Sequence, residues 1–267
     1  MHLSAISIYP VKGCRATALS AARAGRHGLA GDREWMVVRP DGWFLTQRTH
    51  PQLARIVPRL TASGLVLSHA AEPELRVETS AATAPLAVTV WGRQAIARDA
   101  GAAAAAWLER VLGVAARLVT VGPETHMLAD REYVGARDVP VAFADGYPVL
   151  VCNEASLAVL VARMGAALPM DRFRPNLVIA GAEPFAEDRM RGLRVGGIEL
   201  RLVKPCARCI VPSLDQLSGV RSTDPTPALK AFRYDRALRG VTFGVNATLE
   251  AAPGAALAVG DPVTPIE

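Results

Sequence analysis

Lysine is nearly absent from this chain. Only Lys12, Lys204 and Lys230 occur among 30 basic residues, so the formal net charge of +5 rests on arginine. A guanidinium presents a rigid fork of donors that matches phosphate and carboxylate. That keeps an anion pocket open as a reading, although arginines spread over a solvated surface explain the same count. Aromatic residues make up 5% of the chain. They do not interleave with basic runs as in nucleic-acid stacking platforms, which argues against a nucleic-acid partner. Long apolar runs are missing too, and none reaches the roughly 18 residues a spanning helix needs. The alanine-rich stretch at 100–106 contains Gly101 and is followed by Glu109 and Arg110. The first eight residues lack the basic flank and apolar core of a secretory leader. Four cysteines in 267 residues, Cys14, Cys152, Cys206 and Cys209, are too few for a secreted disulfide scaffold. A reducing, cytoplasmic setting is the expectation. There is no GxGxxG, GxxxxGK[ST] or GxSxG pattern, so the usual dinucleotide, nucleotide and serine-hydrolase signatures are excluded.

What is present is a well-packed globular composition, 51% hydrophobic and 21% charged, long enough for one large domain or two small ones. The first hundred residues read as β-hairpins. Leu3–Tyr9 contains apolar/polar alternation, and Pro40-Asp41-Gly42 is a turn between candidate strands at 33–38 and 43–47. Ser63-Gly64 and Gly92-Arg93 mark two further turns. Residues 102–112 read as a helix ended by Gly113, and 120–137 as an irregular connection. A second unit comes next. Tyr147–Cys152 is a strand, Asn153 caps a helix at 154–164, and Leu177–Ala180 is a buried strand. Residues 193–195 and 198–202 form a hairpin about Gly196-Gly197. A helix is expected from Pro227 with Thr226 as its cap, and 256–263 as a closing strand and turn.

The sharpest chemical feature is Cys206-Ala207-Arg208-Cys209. Two thiols at this spacing can contribute half of a zinc site, form a redox pair, sit as small buried hydrophobes, or supply one activated thiolate. The other cysteines and all five histidines are scattered upstream, so a zinc ligand set is not apparent. Ile210-Val211-Pro212 reads poorly as the helix a thioredoxin-like pair would open. A thiolate beside Arg208 with affinity for a soft metal is the remaining reading. A second feature is Asp171-Arg172-Phe173-Arg174-Pro175-Asn176, where Arg174 could clamp a phosphate and Asn176 could read a heterocycle edge, unless the segment is a salt-bridged loop. Lys12-Gly13 after the first strand would let backbone approach an anion, and Arg33 opens the next strand; turn and surface roles explain both equally well.

Together these segments resemble the MOSC family, in the branch with an N-terminal β-barrel domain that includes the mitochondrial amidoxime reducing component. The resemblance spans nearly the whole chain. Tyr9-Pro10-Val11-Lys12, Gly28-Leu29 with Asp32-Arg33-Glu34-Trp35, and Phe44-Leu45-Thr46-Gln47-Arg48 match the barrel domain. Arg172–Asn176, Pro184–Asp188, Pro205–Cys209 and Gly260–Val263 match the MOSC domain. The resemblance implies a mostly β fold with some α: an N-terminal β-barrel-like domain at 1–120 packed on a MOSC β-barrel domain at 121–267. It implies a molybdenum–pterin cofactor (Mo-molybdopterin) with Cys209 as metal ligand and catalytic residue. Lys12, Gly13, Arg33, Asp145, Gly146, Tyr147, Arg174, Asn176, Arg208 and Asn246 fall on cofactor-binding positions. Pyridoxal phosphate binding is a further expectation.

The implied activity is reduction of N-hydroxylated or N-oxide substrates. The rival is a cofactor or sulfur carrier without reductase activity. Two departures stand out. Pro212-Ser213-Leu214-Asp215 replaces the family's two threonines and Val-Asp, and Gly13 replaces a serine. No clustered cysteines of an iron–sulfur domain occur, so electrons are expected from a separate donor, a ferredoxin, cytochrome or flavin reductase.

Overall fold

The computed structural model describes residues 1–252 and 254–266. Among them the strands form four sheets. The largest runs, edge to edge, Val263–Ile266, Gly192–Val195, Ile198–Ala207, Gly240–Ala251, Val149–Asn153, Leu177–Ala180, His2–Ile8 and Thr17–Leu19, with Tyr234–Asp235 alongside Gly240–Ala251. The pairs are antiparallel except Val149–Asn153 with Leu177–Ala180. Those two are parallel because the helix Glu154–Met164 crosses between them, as a βαβ unit requires. The run Val149-Leu150-Val151-Cys152 is apolar at every position because both faces are covered. Val149 and Val151 join Leu3, Ile6, Leu177 and Leu200 in one core. Leu150 and Cys152 turn to the other, with Leu160, Phe173, Leu229 and Phe243.

The second sheet is ordered Ala84–Val90, Arg93–Asp99, Arg117–Thr120, Trp35–Val38, Val11–Lys12. Its faces are also both covered. Trp35, Val37 and Leu118 pack on the helix Ala102–Leu112. Met36, Val38 and Val119 pack on Met127, Val134, Val141 and Phe143. The irregular stretch after residue 120 is therefore the cover of a sheet face, and within it Arg131–Val134 forms one helical turn. Two three-stranded sheets complete the fold, one of Val57–Leu60, Gly64–His69 and Glu72–Glu78, the other of Ala256–Ala258, Ala21–Gly25 and Gly28–Leu29. Thus His2–Ile8 and Ala21–Gly25 pair with strands from the far end of the chain, so hydrogen bonding crosses residue 120.

The helix Ala102–Leu112 ends on Gly113 at φ +70°, and Asn153 Oδ1 accepts the Ala155 N–H at 3.0 Å, both as the sequence predicts. Three details differ. The Pro40–Gly42 turn forms, but Trp43 and Phe44 make only single bridges, Trp43 to Thr89 and Phe44 to Val38, and the chain then turns at Thr46. Thr226 is already helical and Pro225 holds the cap position of the helix Thr226–Phe232, while the Asp224 carboxylate accepts the Thr226 N–H at 2.9 Å. The closing segment is two strands in two sheets, Ala256–Ala258 and Val263–Ile266. No helix among the described residues is long and apolar enough to cross a membrane.

Candidate functional site

A cleft of about 340 Å³ opens where the end of Val11–Lys12 faces the end of Ile198–Ala207 and the loop at 143–148. The structure brings every predicted site residue to this cleft: Lys12, Gly13, Arg33, Asp145, Gly146, Tyr147, Arg174, Asn176, Arg208, Cys209 and Asn246.

The cysteine pair is aimed by irregular pairing. The register of Ile198–Ala207 against Gly240–Ala251 shifts twice, between Leu202 and Lys204 and between Pro205 and Ala207. Such bulges bend a strand and redirect its later residues. Cys206 and Cys209 are half-buried on the cleft wall. The Val211 N–H lies 3.5 Å from Cys209 Sγ. Arg208 donates from Nη1 to Cys206 Sγ at 2.9 Å and from Nη2 to the Phe173 carbonyl at 2.6 Å. The guanidinium between the two thiols is therefore hydrogen-bonded to the first of them. Burial works against its charge, but the sulfurs of Cys206, Cys152 and Cys209 outweigh it and raise its pKa. Ser213 Oγ is spent on the Ile210 carbonyl at 2.7 Å rather than on sulfur. The other two thiols are inert. Both are buried, and burial pushes Cys14 up to about 12 and Cys152 higher still.

Arg33 and Arg174 share an arrangement that periodicity could not show. Both are non-glycine residues at positive φ, +53° and +55°. Their guanidiniums lie 4.5 and 4.2 Å from the centroid of the buried Tyr9 ring. Tyr9 is fixed by its O–H to the Pro175 carbonyl at 3.0 Å and by its N–H to Asp32 at 2.8 Å. Backbone held in this region marks sites where surroundings over-determine the chain. The two cations differ in compensation. Arg33 pairs with Asp32. Arg174 donates to the neutral Gln216 amide at 3.0 Å, and burial pushes its pKa down. No carboxylate of the described residues pairs with Arg174, which makes it the cation best placed to gain from an anion.

Lys12 is buried and already engaged. It donates to the Phe143 carbonyl at 2.7 Å and pairs with Asp145. Burial pushes its ammonium below the ordinary lysine value. Desolvation works to raise Asp145, but the Lys12 charge and hydrogen bond, with the Trp91 N–H, hold the carboxyl well below its ordinary range. Gly13 adopts φ +82°, which explains glycine where a serine is expected. Asn176 proves to be a buttress. Its Oδ1 accepts from the Leu150 N–H at 3.1 Å and from Arg33 at 3.2 Å, and its Nδ2 donates to the Ser7 carbonyl at 3.2 Å. One N–H remains for a heterocycle. Glu187 of the Pro184–Asp188 match is structural: buried, it accepts from Ser156 at 2.8 Å and Asn153 at 3.1 Å at the start of the crossover helix.

Phe44 and Arg48 of the barrel-domain match also line the cleft, as do Trp91 and Lys204, which the sequence reading did not place there. The sequence did carry a signal for Trp91, a tryptophan in a tight hairpin turn. Among the described residues no group of three or more His, Cys, Asp or Glu could hold a metal. A metal bound by Cys209 must therefore bring most of its ligands with it. A half-exposed cysteine pair, an uncompensated buried arginine and a polar floor fit a phosphate-bearing, metal-chelating cofactor. Pyridoxal phosphate finds no support: of the two lysines at the cleft, Lys12 is committed to Asp145 and Lys204 packs over the Tyr133 ring at 4.0 Å.

Fold and cleft thus define a mostly β protein with a cysteine pair and arginines converging on one cleft. Comparison with known proteins agrees. Residues 1–115 match the MOSC N-terminal beta barrel domain and 138–264 the MOSC domain. The chain is 35% identical over 275 residues to mitochondrial amidoxime-reducing component 1 of Homo sapiens, covering 96% of this chain and 80% of that one. It is 31% identical over 277 residues to mitochondrial amidoxime reducing component 2 of Bos taurus, covering 98% and 82%. It is 31% identical to the molybdenum cofactor sulfurase of Danio rerio over 91% of this chain but 31% of that protein. The chain belongs to the MOSC family, in the group of the amidoxime-reducing components.

Proposed function

We propose that this protein binds a molybdenum–pterin cofactor and reduces N-hydroxylated substrates, with Cys209 as the metal's protein ligand. The observation that supports this most is the convergence of Cys209 and Arg174 on one cleft, in a chain whose relatives are named for reducing amidoximes. When bound, the cofactor supplies the redox couple that removes oxygen from an N–O group. Two electrons and two protons convert the N-hydroxyl group to N–H and release water. Cys209 would hold the metal from the cleft wall, and the Val211 N–H beside its sulfur would tune that ligand. Arg174 would neutralise the cofactor's phosphate, and Arg33, held by Asp32 and Asn176, would add a second guanidinium to the same cleft. Arg208, Gly146, Tyr147 and Asn246 line the space the pterin would fill.

Electrons come from a separate protein, a ferredoxin, cytochrome or flavin reductase. Four free thiols suit a reducing compartment such as the cytoplasm, although the relatives' names place those proteins in mitochondria. The units 1–120 and 121–267 are proposed as the two domains. The test is expression in a host that makes the pterin, followed by metal analysis and an amidoxime assay with an artificial electron donor. Turnover of an amidoxime supports the reductase. A molybdenum-loaded protein that reduces no N-hydroxylated compound is a carrier instead.

A further inference from the structure

One aromatic side chain on the rim of the cleft is unused by the cofactor reading. Strands Ala84–Val90 and Arg93–Asp99 are joined by two residues, Trp91 and Gly92, both at positive φ, +51° and +80°. This is the backbone of a type I′ hairpin turn, for which Asn-Gly, Asp-Gly or Gly-Gly is the low-strain choice. A bulky residue in the first of these positions is a backbone outlier. Burial does not explain it, because Trp91 is 41% exposed. The indole instead reaches the cleft. Its N–H donates to Asp145 at 2.8 Å, its ring meets Phe44 edge-on at 4.7 Å, and the Arg48 guanidinium lies 4.4 Å from its centroid. Lys12 and Asn176 are buried deeper, whereas Trp91 and Arg48 are exposed at the cleft and open to an incoming molecule.

The chemistry of the Arg48 contact suggests what else that face accepts. A guanidinium is a planar, delocalised cation, and indole is the best aromatic face for one. Reduction of an amidoxime gives an amidine, which protonates to a planar amidinium of the same charge and nearly the same outline. An amidoxime conjugated to an aromatic ring is itself flat.

We propose that the Trp91 indole is the stacking platform for flat, aryl-conjugated N-hydroxylated substrates, with Arg48 a displaceable cover. This rests on the reductase reading and adds a residue that sets substrate specificity.

The test uses the full-length, cofactor-loaded protein with benzamidoxime as the aryl probe and acetamidoxime as the alkyl one. Trp91→Asn suits the turn, so it removes the platform and keeps the hairpin. It lowers the aryl-to-alkyl ratio of kcat/KM roughly three- to tenfold, the range aromatic stacking supplies, through the KM for benzamidoxime. Trp91→Phe keeps the ratio despite losing the N–H to Asp145. Arg48→Ala lowers the KM for benzamidoxime. An unchanged ratio in Trp91→Asn, an equal fall in Trp91→Phe, or no lower KM in Arg48→Ala overturns the proposal. A binding measurement separates this from the reductase reading. Benzamidoxime quenches tryptophan fluorescence more in wild type than in Trp91→Phe. Equal quenching removes the platform whatever the turnover. Quenching that depends on Trp91 without reduction of either probe supports the platform and removes the reductase.

Discussion

Gln47 and Gln216 exchange both amide hydrogen bonds, Nε2 of each donating to Oε1 of the other at 3.0 and 3.1 Å. Both are buried, and they lie 169 positions apart in the chain. Gln47 also donates to the Gly13 carbonyl at 2.7 Å, and Gln216 also accepts from Arg174 at 3.0 Å. This chain of bonds runs from the loop after Lys12 to the uncompensated arginine, so one amide pair ties Gly13 to Arg174 beside the cleft.

Replacing Gln216 with leucine leaves the Gln47 Oε1 acceptor and one Arg174 donor without these partners, while Gln47 Nε2 keeps the Gly13 carbonyl. Buried polar groups left unpaired cost about 1–3 kcal/mol each. Gln216→Leu should lower unfolding stability by about 2 kcal/mol or more, measured by urea denaturation. Gln216→Glu pairs Arg174 with a carboxylate, so it should weaken retention of the cofactor's phosphate more than Gln216→Leu does.

Asn176→Ala removes three bonds at once, to Leu150, Ser7 and Arg33. A loss of about 2–4 kcal/mol is expected from the same unpaired-group penalty, summed over buried partners. Cofactor affinity should also fall, because Arg33 loses its lateral support. Thermal denaturation with and without bound cofactor separates the two effects.

One pH response comes from Asp145. Its carboxyl is held below the ordinary carboxylate value, about 3.9 in an unfolded chain. A depressed folded pKa means the unfolded state binds the proton more tightly. The stabilisation is therefore full above the unfolded value and is lost as pH falls through the folded one. Removing the cation with Lys12→Met should shift the midpoint of acid unfolding to higher pH, read by circular dichroism. An unchanged midpoint would show that the ion pair contributes nothing to the fold.

Thiol labelling of the native protein near pH 8 should stop at two sites. Cys14 and Cys152 are buried, and burial raises both thiols far above neutral. Cys206 and Cys209 are half-exposed. Mass spectrometry after brief iodoacetamide treatment should find the label on the latter pair.

Much of the fold was legible in the amino-acid order, for local reasons. The capping by Asn153, the stop at Gly113 and the hairpin at Gly196-Gly197 are each written in a few adjacent residues. The cleft residues came through the family motifs. What stayed hidden depends on distance. Nothing near Tyr9 announces that two arginines, 141 residues apart (174 minus 33), flank its ring. Nothing near Gln47 names Gln216. Asn176 looked like a ligand-reading amide because its three internal partners come from remote segments. Trp43 and Phe44 read as a strand by pattern, but tertiary contacts leave them only single bridges.

Molybdenum content decides whether Cys209 holds the metal. Wild type, Cys206→Ser and Cys209→Ser should be purified from a host that makes the pterin and their metal measured per chain. The predicted result is molybdenum in wild type, much of it kept in Cys206→Ser, and its loss or marked weakening in Cys209→Ser. Equal molybdenum in wild type and Cys209→Ser, or none in wild type, would contradict the assignment.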